Sequence, residues 1–344
     1  MLIYLILIVT LAFFSYLEIF KEENKKKYLK IIQKLYIIII FLLFSFNRGN
    51  NDYKNYLLIF QGKNLEVEKG YLLFIYFLRK INGNHNFILL ILGCLMIYTL
   101  FYKYEMKYKI SFIFLYIIYL FVYDINQIRN LFCILFILIG IKFLQKNKNF
   151  KYLFFNVLAV SFQRIGYIYF IFYFLQKLKL KNYLKMIGLF FIIGLFFIPV
   201  FKEIIVYLFP DKGVYYFNKK PNFGSVVYFT LIFIDMFMLK ILKSKKEIEK
   251  DEILLIKFIL FPLIFLPYSV LSIELISRIW RNVLYLKWLY FLKNFEKYRC
   301  KKQNSIILII LLSQQFLILG IRFFKDPVGT QNLISQIAKV EFYF

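Results

Sequence analysis

Long apolar runs separated by short lysine-rich segments constrain this chain more than any other feature. The stretch LIYLILIVTLAFFSYLEIF carries one charge, Glu18, and IIIIFLLFSF carries none. A helix of about 17–25 apolar residues crosses a hydrocarbon core of about 30 Å, and flanking Lys and Tyr let shorter runs suffice. Hydrophobic residues make up 61% of the chain, against about 45–50% in soluble domains. These runs predict an all-α, polytopic transmembrane protein forming one integral-membrane domain over residues 1–344. Spans are expected near 2–20, 31–46, 86–101, 110–123, 126–144, 185–201, 224–242, 253–270, 279–292 and 305–321. That makes about ten, with short re-entrant or interfacial helices besides.

Orientation follows from the basic residues in short loops, which favour the cytoplasm. Lys21, Lys25, Lys26, Lys27, Lys30 and Lys34 place the first loop inside and the N-terminus outside. The basic loops at 103–109, 142–151, 240–250 and 293–302 then also fall inside, and the C-terminus comes out on the outer face. The first run has no basic leader and no small-residue cleavage site, so it is expected to stay as a span. Although the formal charge is +27, the basic residues form no single patch that could track a nucleic-acid backbone, and no nucleic-acid partner is expected.

Two segments do not fit simple crossings. Residues 150–176 lie between basic clusters and are too short for two full spans. A re-entrant helical hairpin with Ser161, Gln163 and Arg164 near its tip keeps both clusters inside, whereas one ordinary span would invert everything downstream. The apolar run 71–78, ended by Arg79 and Lys80, reads as a re-entrant or interfacial helix.

The outer polar segment 47–69, NRGNNDYKNYLLIFQGKNLEVEK, mixes cation, carboxylate and aromatic groups at a membrane boundary. Arg48 offers a planar fork of donors suited to phosphate or carboxylate, and the tyrosines offer faces for a sugar ring. The plainer reading is a solvated loop. A second outer loop, 202–223, contains PDKGVYYFNKKPN and reads either as a sugar-contacting lid or as a connector.

Eight of the 46 basic residues are arginine, and their placement runs against the positive-inside rule. Arg48, Arg129, Arg278, Arg281 and Arg322 lie at outer ends of spans or just beyond, Arg164 at membrane depth, and Arg299 inside. A charge near the membrane interior costs about 2.5–3.5 kcal/mol on insertion scales, so it faces a cavity or a partner. A diphosphate would be such a partner. Structural alternatives exist: Arg129 with Asp124 and Arg278 with Glu274. Asp235, within a span, either pairs with a neighbour or lines a pore.

The sequence also excludes much. His85, the one histidine, lies in the turn INGNHN and reads as a solvated turn residue, so no metal centre built on several histidines is possible. Cys94, Cys133 and Cys300 are far apart. No P-loop or dinucleotide fingerprint occurs, and no soluble nucleotide-sugar domain, so an enzymatic donor would be membrane-borne.

NRGNNDYKNY followed by EKGYLLFIYFL resembles the first outer segment of the EpsG-like family of polysaccharide polymerases, relatives of the Wzy polymerases. NQIRNLFCILFILIGIKFL, NVLAVSFQRIGYIYFIFYFL and LISRIWRNVLYL resemble later segments of that family, in order. Where the family pattern commonly has His, this chain has Gln163, which cannot serve as a general base. The resemblance implies glycosyl transfer on the outer face of a bacterial cytoplasmic membrane. Polyprenyl-diphosphate-linked oligosaccharide repeat units would be joined into exopolysaccharide, capsule or O-antigen, without metal or cofactor. It implies Arg48, Arg129, Arg164 and Arg278 facing the diphosphate, Asp52 as base and Gln163 as a positioning group. Tyr53, Tyr56 and Tyr71 would face sugar, with Glu68 and Arg281 completing the substrate-binding set. Membrane lipid, a chain-length regulator and a flippase are the partners implied. A transferase adding single sugars, a lipid-linked-oligosaccharide flippase and a non-catalytic assembly protein remain alternatives.

Overall fold

The computed structural model describes residues 2–20, 26–47, 52–63, 67–104, 106–200, 202–203, 224–243, 250–270, 273–295 and 301–325. Among them the chain is helical, with no strand. Arg48, Arg299, Cys300, most of the 202–223 loop and the C-terminal tail lie outside the described residues, as do the side chains of Glu274 and Arg322. Against the ten crossings expected, five helical stretches are long and apolar enough to span a membrane: Lys27–Ser45, Asn86–Lys103, Lys109–Asn126, Ile128–Gln145 and Asp251–Ser269. Shorter apolar helices accompany them at Tyr4–Phe20, Arg164–Leu175, Val226–Leu239 and Ile306–Gly320. This is a multi-pass membrane protein.

Two compact units make up the chain, one of Met1–Phe170 with Phe291–Phe344, the other of Ile171–Tyr290. In the first unit, α1 (Leu2–Phe20), α2 (Lys26–Ser45), α3 (Tyr53–Phe60), α4 (Lys69–Lys80) and α5 (Asn86–Ile97) lead to the centre. There α6 (Lys109–Leu115) widens into a π-helical segment, Tyr116–Leu120, before α7 (Phe121–Asn126), and α8 (Ile128–Gln145) follows. Helices apolar all round belong in the middle of a bundle, whereas a lipid-facing helix need bury only one side. Accordingly 89% of Lys109–Asn126 is buried but only 22% of Lys27–Ser45. Leu5, Ile6, Val9 and Phe13 of α1 face outward, as residues meeting lipid do.

One charge in these spans is held by backbone. The Glu18 carboxylate accepts from Ile110 N at 3.0 Å, Ser111 N at 2.8 Å and Ser111 Oγ at 2.7 Å, capping α6 from another helix. The first N–H groups of a helix have no partner within it, and an anion there is doubly favoured. Gln33 Nε2 adds a bond at 2.8 Å, and Tyr4 OH donates to Ile117 O in the π-helical segment at 3.1 Å.

After α8 the chain turns back on itself as α9 (Asn149–Phe162), a 3-10 turn at Arg164–Tyr167, and α10 (Ile168–Leu175). Tyr152 OH donates to Tyr169 O at 2.7 Å. The fully buried Asn156 amide, turned to satisfy both its ends, donates to Gly166 O and accepts from Phe170 N, each at 3.1 Å. Gly166 is obligatory, since a Cβ there would stand 2.8 Å from Val160 N. These ties bring the 163–167 tip to the same end of α8 as Arg129, because α9 runs antiparallel to α8 after a short turn at 146–148.

The second unit holds α11 (Leu180–Phe196), α12 (Gly224–Lys243), and α13 (Lys250–Leu260) extended by the 3-10 stretch Phe261–Val270. Most of α14 (Ile273–Asn294) belongs to it, while α15 (Lys301–Lys325) returns to the first. Lys257 Nζ donates to Gln176 O and Leu178 O, both at 2.6 Å, so its charge ends on carbonyl groups rather than on an acid. Asp235 of α12 pairs with Lys287 of α14 at 2.6 Å, and the ammonium also lies over the Trp280 ring at 5.3 Å.

Candidate functional site

The site begins with Gly70. A Cβ at this position would lie 2.3 Å from Ser161 Oγ and 2.7 Å from Ser161 O, so only glycine lets the start of α4 press against the end of α9. That approach delivers the preceding residues to the α9–α10 tip. Glu68 is the N-cap of α4, in extended conformation (φ −61°, ψ 138°), and its carbonyl accepts from Tyr71 N and Leu72 N. An acidic N-cap ordinarily turns its side chain onto its own helix. Here it makes no such bond: the carboxylate forms a salt bridge with Arg129 Nη1 and accepts from Arg164 N at 3.3 Å.

Arg129 stands in the first turn of α8. A cation there opposes the helix dipole and needs an anion beside it. Asp124, five residues away, is not that anion; Tyr116 OH donates to its Oδ2 at 2.8 Å. Glu68 is, its side chain 12% exposed beside 24% for Arg129. Tyr56 and Tyr71 flank the pair, both buried, their rings 6.1 Å apart. Burial raises the Tyr56 hydroxyl above the usual phenol range, Arg129 draws it back, and Asp52 pushes it up again. Asp52 is therefore close enough to act on this group, half-buried ahead of α3, with its carbonyl accepting from Tyr56 N at 2.9 Å.

The cluster is not closed upon itself. The Tyr71 hydroxyl, Arg129 Nε and Gln163 Oε1 are buried with no hydrogen-bond partner among the described residues. Buried polar atoms are nearly always satisfied, so the orphans around this ion pair leave bonds that water or a ligand can make. The arrangement can hold an anion, through guanidinium and backbone N–H donors, beside aromatic faces. Among the described residues no group of His, Cys, Asp and Glu could hold a metal.

Of the residues expected here, Asp52, Tyr56, Glu68, Tyr71, Arg129, Gln163 and Arg164 gather in the first unit. The Arg164 side chain is exposed. Tyr53 turns instead to His85, with ring centroids 4.9 Å apart. Arg278 and Arg281 belong to the second unit, where Arg281 is buried and its Nε donates to Ser277 O at 3.3 Å, and Arg278 is half-buried.

His85 corrects the sequence reading. It is 3% exposed, wedged against Tyr53 and Phe60, with neither ring nitrogen partnered among the described residues. The turn INGNHN is polar, but Tyr53 and Phe60 on α3 cover the ring, a contact that local composition does not encode. Burial lowers its pKa from 6.5 to about 4. A depressed histidine stabilises the fold fully above its unfolded value, and this is lost as pH falls from 6.5 towards 4. The difference amounts to about 3 kcal/mol. Purified protein should thus show a thermal midpoint that drops over this window by more than that of a His85→Phe variant. Equal pH profiles would refute the assignment.

The family model described as the EpsG family matches residues 31–335, which include every residue of this cluster as well as Arg278 and Arg281. The chain belongs to the EpsG family. It is accordingly a polysaccharide-polymerase-like membrane protein. No curated protein and no solved structure matches it. The Glu68–Arg129 contact that organises this EpsG protein's cluster joins residues 61 apart in sequence. The local signal for it was a lone arginine at the start of an apolar helix.

Proposed function

We propose that this EpsG protein polymerises polyprenyl-diphosphate-linked oligosaccharide repeat units on the outer face of the cytoplasmic membrane. The observation carrying this reading is a guanidinium at the head of an apolar helix, beside a backbone N–H and two buried tyrosines, with donors left unsatisfied. An acceptor hydroxyl oxygen attacks the anomeric carbon of the donor sugar. The bond to the diphosphate breaks, its electron pair leaves with the polyprenyl diphosphate, and the hydroxyl proton passes to a base, for which Asp52 is our choice. Donors aimed at the departing diphosphate accelerate this step because charge grows there in the transition state. Tyr56 and Tyr71 line the sugar side, and Arg164 adds positive charge.

Reconstitution tests it. Purified protein in lipid vesicles, supplied with lipid-linked repeat units and a chelator but no nucleotide, should yield a ladder of lipid-linked oligomers. Units moved across the bilayer unchanged would establish a flippase instead, and one added sugar per acceptor a single-addition transferase.

A further inference from the structure

We infer that the Glu68 carboxylate is an internal stand-in for phosphate, holding the anion seat of Arg129 and the Arg164 N–H until a diphosphate displaces it. This deepens the polymerase reading and rests on it.

The geometry of the pair carries the inference. A carboxylate satisfied by arginine commonly takes two parallel donors of the guanidinium fork. Glu68 engages Nη1 alone, through one oxygen, and Nε, on the other edge of the guanidinium, is buried with no partner among the described residues. The other carboxylate oxygen is drawn to Arg164 N, at the long distance of 3.3 Å. The Tyr71 hydroxyl, near enough for Arg129 to act on it electrostatically, is also unpartnered. Glu68 thus occupies the seat without filling it. A phosphate differs in the way these leftovers require: its oxygens point tetrahedrally and can accept from Nη1, a backbone N–H and a hydroxyl together. Glu68 also has somewhere to go. It is an N-cap whose own helix offers free N–H groups at the start of α4, a bond it does not make here.

Such a carboxylate keeps the guanidinium neutralised between turnovers, so the seat costs little in an apolar surrounding. It also sets a threshold: an anion must carry enough charge and enough acceptors to outcompete it. A diphosphate does so more readily than a monophosphate.

The test uses the full chain, purified in detergent, with farnesyl diphosphate as probe. Where a seat is open a tenth of the time, apparent affinity is about tenfold below its intrinsic value. Glu68→Gln should therefore bind the probe about tenfold more tightly than wild type, and Glu68→Asp, too short to span the gap, should also gain. Arg129→Ala should lose binding, with thermal midpoints showing each protein folded. Equal or weaker binding by both Glu68 variants, with Arg129-dependent binding in wild type, overturns the stand-in while leaving the polymerase reading intact. Binding indifferent to Arg129 overturns the anion seat itself, and the reading with it.

Discussion

Arg129→Ala is expected to cut polymer formation by about 10²–10³-fold, the usual cost of removing one donor aimed at developing charge in a water-poor site. Lipid-linked single units should accumulate while the protein remains in the membrane. The substitution also leaves Glu68, 12% exposed, without its cation. A buried charge deprived of its partner destabilises, so the thermal midpoint should fall as well. The two effects separate in the double variant Arg129→Ala/Glu68→Gln, which should recover the midpoint and none of the activity. Arg129→Lys should recover little, because an ammonium is a point charge and cannot present Nε and Nη together. The glycan ladder, read beside protein level in the membrane, decides. An Arg129→Ala ladder of normal length would remove Arg129 from the chemistry.

Lys287→Met should strongly destabilise the second unit. The Lys287 side chain is wholly buried and the Asp235 side chain 4% exposed, so the change leaves a carboxylate in an apolar bundle without its ammonium. Breaking such a pair from one side costs about 3–5 kcal/mol, whereas replacing both members with apolar residues is often neutral or stabilising. Lys287→Met/Asp235→Leu should accordingly return to near wild-type stability, minus the small contribution of the cation over Trp280. Thermal unfolding of the single and double variants in detergent measures this directly. If Lys287→Met alone unfolds like wild type, the pair contributes nothing to the fold.

How much of this was legible beforehand depends on how local the signal is. Helices were, since an apolar run in a membrane protein leaves the backbone few choices. Asp52, Tyr56, Tyr71, Arg129 and Arg164 stand out in the sequence, through charge where charge is costly and through resemblance. Their connections do not. Arg129 has an acid five residues away and bonds to one 61 residues back, because Tyr116, one helical segment earlier, already holds Asp124. Nothing in the residues around Gly70 indicates that Ser161 lies against it. His85 sits among asparagines in sequence and among aromatic rings in space. Each surprise is a tertiary contact chosen by packing between distant segments, about which composition and spacing are silent.

The family match opens at residue 31, after α1 has ended at Phe20, yet the central helix is finished by α1. Glu18 satisfies the N–H groups of Ile110 and Ser111, and Tyr4 takes up a carbonyl from the widened turn at Ile117. Left unpaired, each such group costs about 1–3 kcal/mol where it is buried. The stretch that the family model matches and the stretch that completes this helix bundle therefore differ. A chain trimmed to its family homology would carry all the residues of the anion seat and lack the lid on the helix that supports them.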